Sequence, residues 1–136
     1  MKEIVHSNSE TKDQDIPGRL AFLGLDEQAR ADLRRLKPII ERELPKGIER
    51  FYEVVRQTPQ ASRLFSSDAQ IEGAKKAQLS HWEAIAGGAF DEDYVRRVRA
   101  IGAVHARIGL EPRWYIGGYA ILVEQLGHGI ISEYWP

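Results

Sequence analysis

Four histidines and no cysteine define the metal and acid–base chemistry open to this chain. Without cysteine there is no disulfide scaffold, no Cys-ligated zinc, no iron–sulfur cluster and no thiol nucleophile. His6 lies in a polar leading segment, and His81, His105 and His128 fall on three different predicted helices. No two of them stand at i, i+4 with a carboxylate, as a helical zinc site needs. No Ser/His/Asp or paired-carboxylate pattern stands out. Gly87-Gly88 and Gly117-Gly118 are not a phosphate-binding loop: the first pair separates helices and the second lies inside one.

His105 is the informative histidine, because it sits among Val98, Ile101, Val104 and Ile108. A ring facing an apolar interior must give its nitrogens a partner. Two readings stay open. One is a core histidine bonded to a main-chain carbonyl. The other is a ligand to a metal or to haem iron, for which an apolar helix suits a flat apolar porphyrin. Tyr52, beside Phe51 on another apolar stripe, also has two readings. Its ring is either core with the hydroxyl finding a surface partner, or its hydroxyl is aimed at a bound ligand bearing partial negative charge. Such a bond contributes about 1 kcal/mol when neutral and about 1.5–3 kcal/mol to a charged acceptor.

The elements that must position these residues are helical, since no stretch alternates with period two for long. Asp26 opens the first, with Leu33, Leu36 and Ile40 on one face. Leu44-Pro45 is expected to break it, with Pro45 starting a second helix that carries Ile48, Phe51, Tyr52 and Val55. Pro59 ends that helix, and 58–66 should be a short helical or irregular connection. Ser67 or Asp68 starts a third that Gly87-Gly88 stops. Asp91 caps a fourth, bearing Tyr94, Val98, Ile101, His105 and Ile108, with Gly109 as a left-handed stop. Pro112 opens a fifth, with Tyr115, Tyr119, Leu122, Leu126 and Ile130. Five helices and short loops predict an all-α fold.

At 136 residues the chain suits one domain, and 43% hydrophobic with 29% charged residues is an ordinary globular composition. Nineteen basic against twenty acidic residues give a net charge of −1, so no nucleic-acid footprint is present. The longest apolar-plus-glycine run, Tyr115 to Val123, is far short of a membrane span, and the start has no signal-peptide core. The expectation is a cytoplasmic protein with no membrane and no nucleic-acid partner. Residues 1–16 read as a flexible tail, with order beginning near Pro17. Arg96, Arg97, Arg99 and Arg107 read as a solvated charged face.

The stretch VHARIGLEPRWYIGGY, residues 104–119, resembles the signature of globin-coupled sensors, the haem globins that include aerotaxis transducers. LPKGIERFYEVVRQTP (44–59) and HWEAIAGGAFDEDYVRRV (81–98) extend the resemblance to roughly residues 18–136. It implies a sensor globin fold over 17–136, haem b as cofactor, and O2, CO or NO as ligand. By the same resemblance His105 is the proximal iron ligand, Tyr52 the distal donor, and Tyr115 a proximal-side tyrosine linked in some members to signalling. Phe51 and Trp114 match aromatic positions lining or bracing the pocket. Ala74 and Ala77 fall where other members place larger or polar distal residues. That implies a roomier pocket with no second side-chain donor. Gln78 is expected near the haem edge, Val104 and Ile108 beside the proximal ligand, and His81 in a structural role. The resemblance further implies a homodimer through the C-terminal helices. The family's final helix and an output domain, such as a histidine kinase or diguanylate cyclase, are expected to be missing, so the chain itself reads as a sensor rather than an enzyme. Redox activity on O2 or NO, and a cofactor-free helical interaction module, are the alternatives.

Overall fold

The computed structural model describes residues 15–136. All but the last two residues of the predicted tail lie outside that range. Asp15 and Ile16 lie within it: Asp15 Oδ1 accepts the Gly18 amide at 2.9 Å and caps helix α1, Ile16–Phe22. The helices that follow are α2 (Glu27–Gln57), α3 (Pro59–Ser62), α4 (Asp68–Gly87), α5 (Glu92–Ile108) and α6 (Pro112–Tyr134). No strand occurs among the described residues, as the helical spacing predicted.

Local chemistry sets most boundaries where the sequence placed them. Asp26 accepts the Ala29 amide at 2.8 Å, and Asp91 accepts that of Tyr94 at 3.0 Å. Each side chain thereby satisfies an otherwise orphaned first-turn N–H. Gly88 and Gly109 end α4 and α5 at φ 68° and 72°, in the left-handed region that a Cβ disfavours.

The expected break at Leu44-Pro45 does not occur. A single helix of 31 residues runs through both Pro38 and Pro45. An interior proline loses one backbone bond and costs about 3 kcal/mol. Here the flanking turn is among the most deeply buried parts of the described residues: Leu44 and Ile48 are each 1% exposed. Breaking the helix would uncover both, so packing outweighs the proline. The described residues thus hold six helices rather than five, because two predicted helices fuse while α1 and α3 are added.

The core lies along α2. Ile40, Leu44, Ile48, Tyr52 and Val55 meet Ile71 and Ala86 of α4 and Leu122 and Leu126 of α6. Extensive helix packing is confined to α2 with α6, α4 and α3. Gly47, Gly118 and Gly129 let α2 and α6 approach closely: a Cβ on Gly118 would stand 2.8 Å from Phe51 Cε2, and one on Gly129 only 2.3 Å from Glu43 Cγ. Helices α1 and α5 both stand outside this packing, and α5 is the longer of the two. It carries an apolar stripe, yet none of its residues is buried.

Candidate functional site

The predicted site residues assemble in two separate groups. The first forms on α2 and α4. Tyr52 is 2% exposed, and the Phe51 ring meets it edge-on at 4.9 Å. Gln78 Nε2 donates to Tyr52 Oη at 3.1 Å. Burial pushes the Tyr52 phenol up to about 12, with the Gln78 bond pulling the other way, so the hydroxyl stays protonated at neutral pH. Gln78 donates to the tyrosine itself, a contact that was not expected from the sequence. Ala74 is half-buried against the core, while Ala77 is exposed one turn further round α4.

The second group forms on α5 and α6. The His105 ring stacks on Tyr115 at 5.7 Å with 15° between the planes. No hydrogen bond holds the ring nitrogens among the described residues, so the main-chain-bonded core histidine is not what the fold builds. Partial burial pushes the imidazole down and favours the neutral form, which is the form that ligates metal. Val104 and Ile108, flanking His105, are 41% and 38% exposed. Trp114 packs against the core with the Arg113 guanidinium 4.7 Å above its ring. No hydrogen bond or ring contact among the described residues joins the Tyr52 group to the His105 group.

Several participants were not singled out from sequence. Phe65, in the link after α3, meets Tyr52 edge-on at 6.0 Å. Tyr119 lies 6.5 Å from Tyr115 and 5.8 Å from Trp82, so a row of rings runs from His105 on α5 through α6 to α4. The i, i+4 spacing of Tyr115 and Tyr119 was the available signal. His81 stacks on Tyr94 at 6.1 Å, bridging α4 and α5, and its buried Nδ1 has no partner. The four α5 arginines are exposed, as expected of a solvated face.

An open groove of about 400 Å3 between α2 and α4 contains none of the predicted site residues. Its buried Lys75 is already held by Glu49 at 2.7 Å and Glu72 at 3.0 Å, which leaves it no spare charge for a ligand. No three His, Asp or Glu side chains gather to chelate a bare ion among the described residues. A single histidine on an apolar face ligates metal well only where a cofactor supplies the other ligands, as a porphyrin does.

The all-α fold, with His105 on the exposed apolar stripe of α5 and the buried phenol of Tyr52 on α2, fits a globin. Residues 12–134 match the Protoglobin family, and the chain belongs to it. It is also 27% identical over 124 residues to the heme-based aerotactic transducer HemAT of Halobacterium salinarum, covering 88% of this chain. The chain spans about a quarter of that relative's length. Family membership brings haem with its iron as the cofactor. The residues fit it: α5 presents exposed Val98, Val104 and Ile108 around His105, an apolar surface of the kind a porphyrin covers. No helix among the described residues is long and apolar enough to cross a membrane.

Proposed function

We propose that this chain is the gas-binding domain of a haem-based sensor, with residues 17–136 forming the domain and 1–16 a tail. The observation that carries the reading is α5: an amphipathic helix whose histidine-bearing stripe buries no residue against protein. Amphipathic helices bury their apolar stripe, so a large apolar partner belongs there. Haem supplies an iron that reversibly coordinates a diatomic gas. His105 is the residue that holds it, with its imidazole kept neutral by partial burial. Val104, Ile108 and Ala77 supply apolar contact, and Trp114 and Tyr115 brace the proximal side. Tyr52 keeps its proton at neutral pH and donates a hydrogen bond to an acceptor admitted to the pocket, held by Phe51 and Phe65. Ala74 leaves room on that side. A donor at Tyr52 would favour a ligand that carries partial negative charge, as O2 would, over CO or NO.

The similarity to a heme-based aerotactic transducer supports sensing rather than catalysis, with the signal passed to an output unit. The exposed residues Ile116, Val123, Ile131 and Tyr134 on α6 support self-association through the C-terminal helix as a homodimer. A cytoplasmic location accords with this role. The test is the absorption spectrum of the purified chain, reduced and under carbon monoxide. A Soret band that His105→Ala abolishes is expected. Failure to take up supplied haem overturns the reading in favour of a helical interaction module. Steady turnover with an electron donor overturns it in favour of a redox protein.

A further inference from the structure

We infer that Gln78 is a positioning residue: by donating to the back of the Tyr52 oxygen, it keeps the phenolic proton free for a ligand in the pocket. An amide nitrogen can only donate. The 3.1 Å contact from Gln78 Nε2 therefore occupies a lone pair on Tyr52 Oη and leaves the tyrosine's own proton uncommitted. The rings packed on Tyr52, Phe51 at 4.9 Å and Phe65 at 6.0 Å, offer no acceptor of comparable strength. No described residue accepts that proton, although Tyr52 is only 2% exposed. Buried donors are nearly always paired, so an unclaimed one marks a place where an acceptor arrives.

Gln78 Oε1 is buried and has no partner. Had the amide been turned over, this oxygen would face Tyr52 and capture the phenolic proton. The observed orientation forgoes that bond. Donation into the phenol oxygen also strengthens the phenol as a donor, since hydrogen bonds in a chain polarise one another. Gln78 thus acts through Tyr52 rather than on the ligand, and ligand discrimination by Tyr52 depends on which atom of residue 78 faces it.

This inference rests on the reading of Tyr52 as a ligand donor, and the experiment separates the two. Tyr52→Phe, Gln78→Leu, Gln78→Glu and the double variant Tyr52→Phe/Gln78→Glu are compared as haem-loaded chains at pH 9, where an introduced carboxyl is ionised. The readouts are the O2 dissociation rate, the C–O stretching frequency under carbon monoxide, and the ultraviolet resonance Raman bands of Tyr52, isolated by subtracting Tyr52→Phe. A carboxylate at 78 only accepts, so it captures the phenolic proton. Gln78→Glu should raise the O2 off-rate to the level of Tyr52→Phe, shift the C–O stretch the same way, and add nothing in the double variant. Gln78→Leu should raise it about five-fold or less, the equivalent of one ordinary hydrogen bond. Its Raman bands should show loss of the bond accepted by the phenol oxygen, a change that a merely packed residue would not produce. If Tyr52→Phe moves the rate and the stretch while both Gln78 variants leave them at wild-type values, the inference is overturned and the Tyr52 reading survives. If Tyr52→Phe moves neither, the reading of Tyr52 falls and this inference falls with it.

Discussion

Two glycines on α6, two residues apart, should respond to the same substitution with opposite signs. Nothing lies within 4 Å of a Cβ built on Gly127, whereas one built on Gly129 falls 2.3 Å from Glu43 Cγ and 2.9 Å from its Cδ. Alanine in an open helical position reduces unfolded-chain freedom and suits the helix, so Gly127→Ala should stabilise by about 0.4–1 kcal/mol. At Gly129 the obstructing atom is mid-chain and tethered. The Glu43 carboxylate accepts from Arg42 at 3.0 Å, Gln125 at 3.1 Å and Lys46 at 3.2 Å, and it is 6% exposed. Its γ-carbon cannot yield without moving the carboxylate off those partners. Overpacking costs about 1–3 kcal/mol, and loosening a buried charged group from its donors adds about 1–3 kcal/mol. With the alanine gain set against these, Gly129→Ala should destabilise by about 1–5 kcal/mol. Urea unfolding of both variants under one condition measures the difference. Glu43→Ala removes the obstruction, so in that background Gly129→Ala should become neutral or stabilising. A Gly129→Ala variant within about 0.5 kcal/mol of Gly127→Ala, near the limit of ordinary additivity, would refute the close approach of α2 and α6.

Further expectations follow from burial, charge and backbone geometry. Leu44→Ala, at a side chain 1% exposed, should cost about 2–5 kcal/mol in chemical denaturation. Hydrogen bonds from Arg42, then Gln125 and Lys46, hold the Glu43 carboxyl down to about 2 from 4.5. A depressed carboxylate contributes stability that is present above its unfolded pKa and lost as pH falls through the folded one. Stability should therefore decline between pH 4.5 and about 2, and Glu43→Gln should flatten that part of the profile. Gly109→Val places a β-branched residue at φ 72° and should destabilise by about 1–2 kcal/mol or more while loosening haem, read by melting and by haem transfer to a scavenger.

What could be read from the sequence was what is decided within one turn of chain. Asp26, Ser67 and Asp91 cap helices because a side-chain oxygen three residues from an orphaned amide suffices. Gly88 and Gly109 end helices for reasons equally local. Pro45 misled because its cost is local while the burial of Leu44 and Ile48 that overrides it comes from α4 and α6. The apolar setting of His105 was visible in its neighbours, and the stack on Tyr115 was not, since it depends on how α5 meets α6. The resemblance placed Gln78 near the haem edge, and its contact with Tyr52 came only with the packing of α4 on α2. Which end of its amide faces the phenol is a matter of hydrogen-bond direction, and helical spacing carries no information about that.

Helix α5 is attached to the rest of the chain mainly through the ring of Tyr94 on His81 and the ring of His105 on Tyr115. Its amide protons should therefore exchange with solvent before those of α2, α4 and α6 in the haem-free chain. A ligand that binds only the ordered state stabilises it in proportion to the logarithm of its concentration. In a cell short of haem this helix would fray and be exposed to proteases, so the supply of cofactor governs how long the protein lasts as well as whether it can bind a ligand.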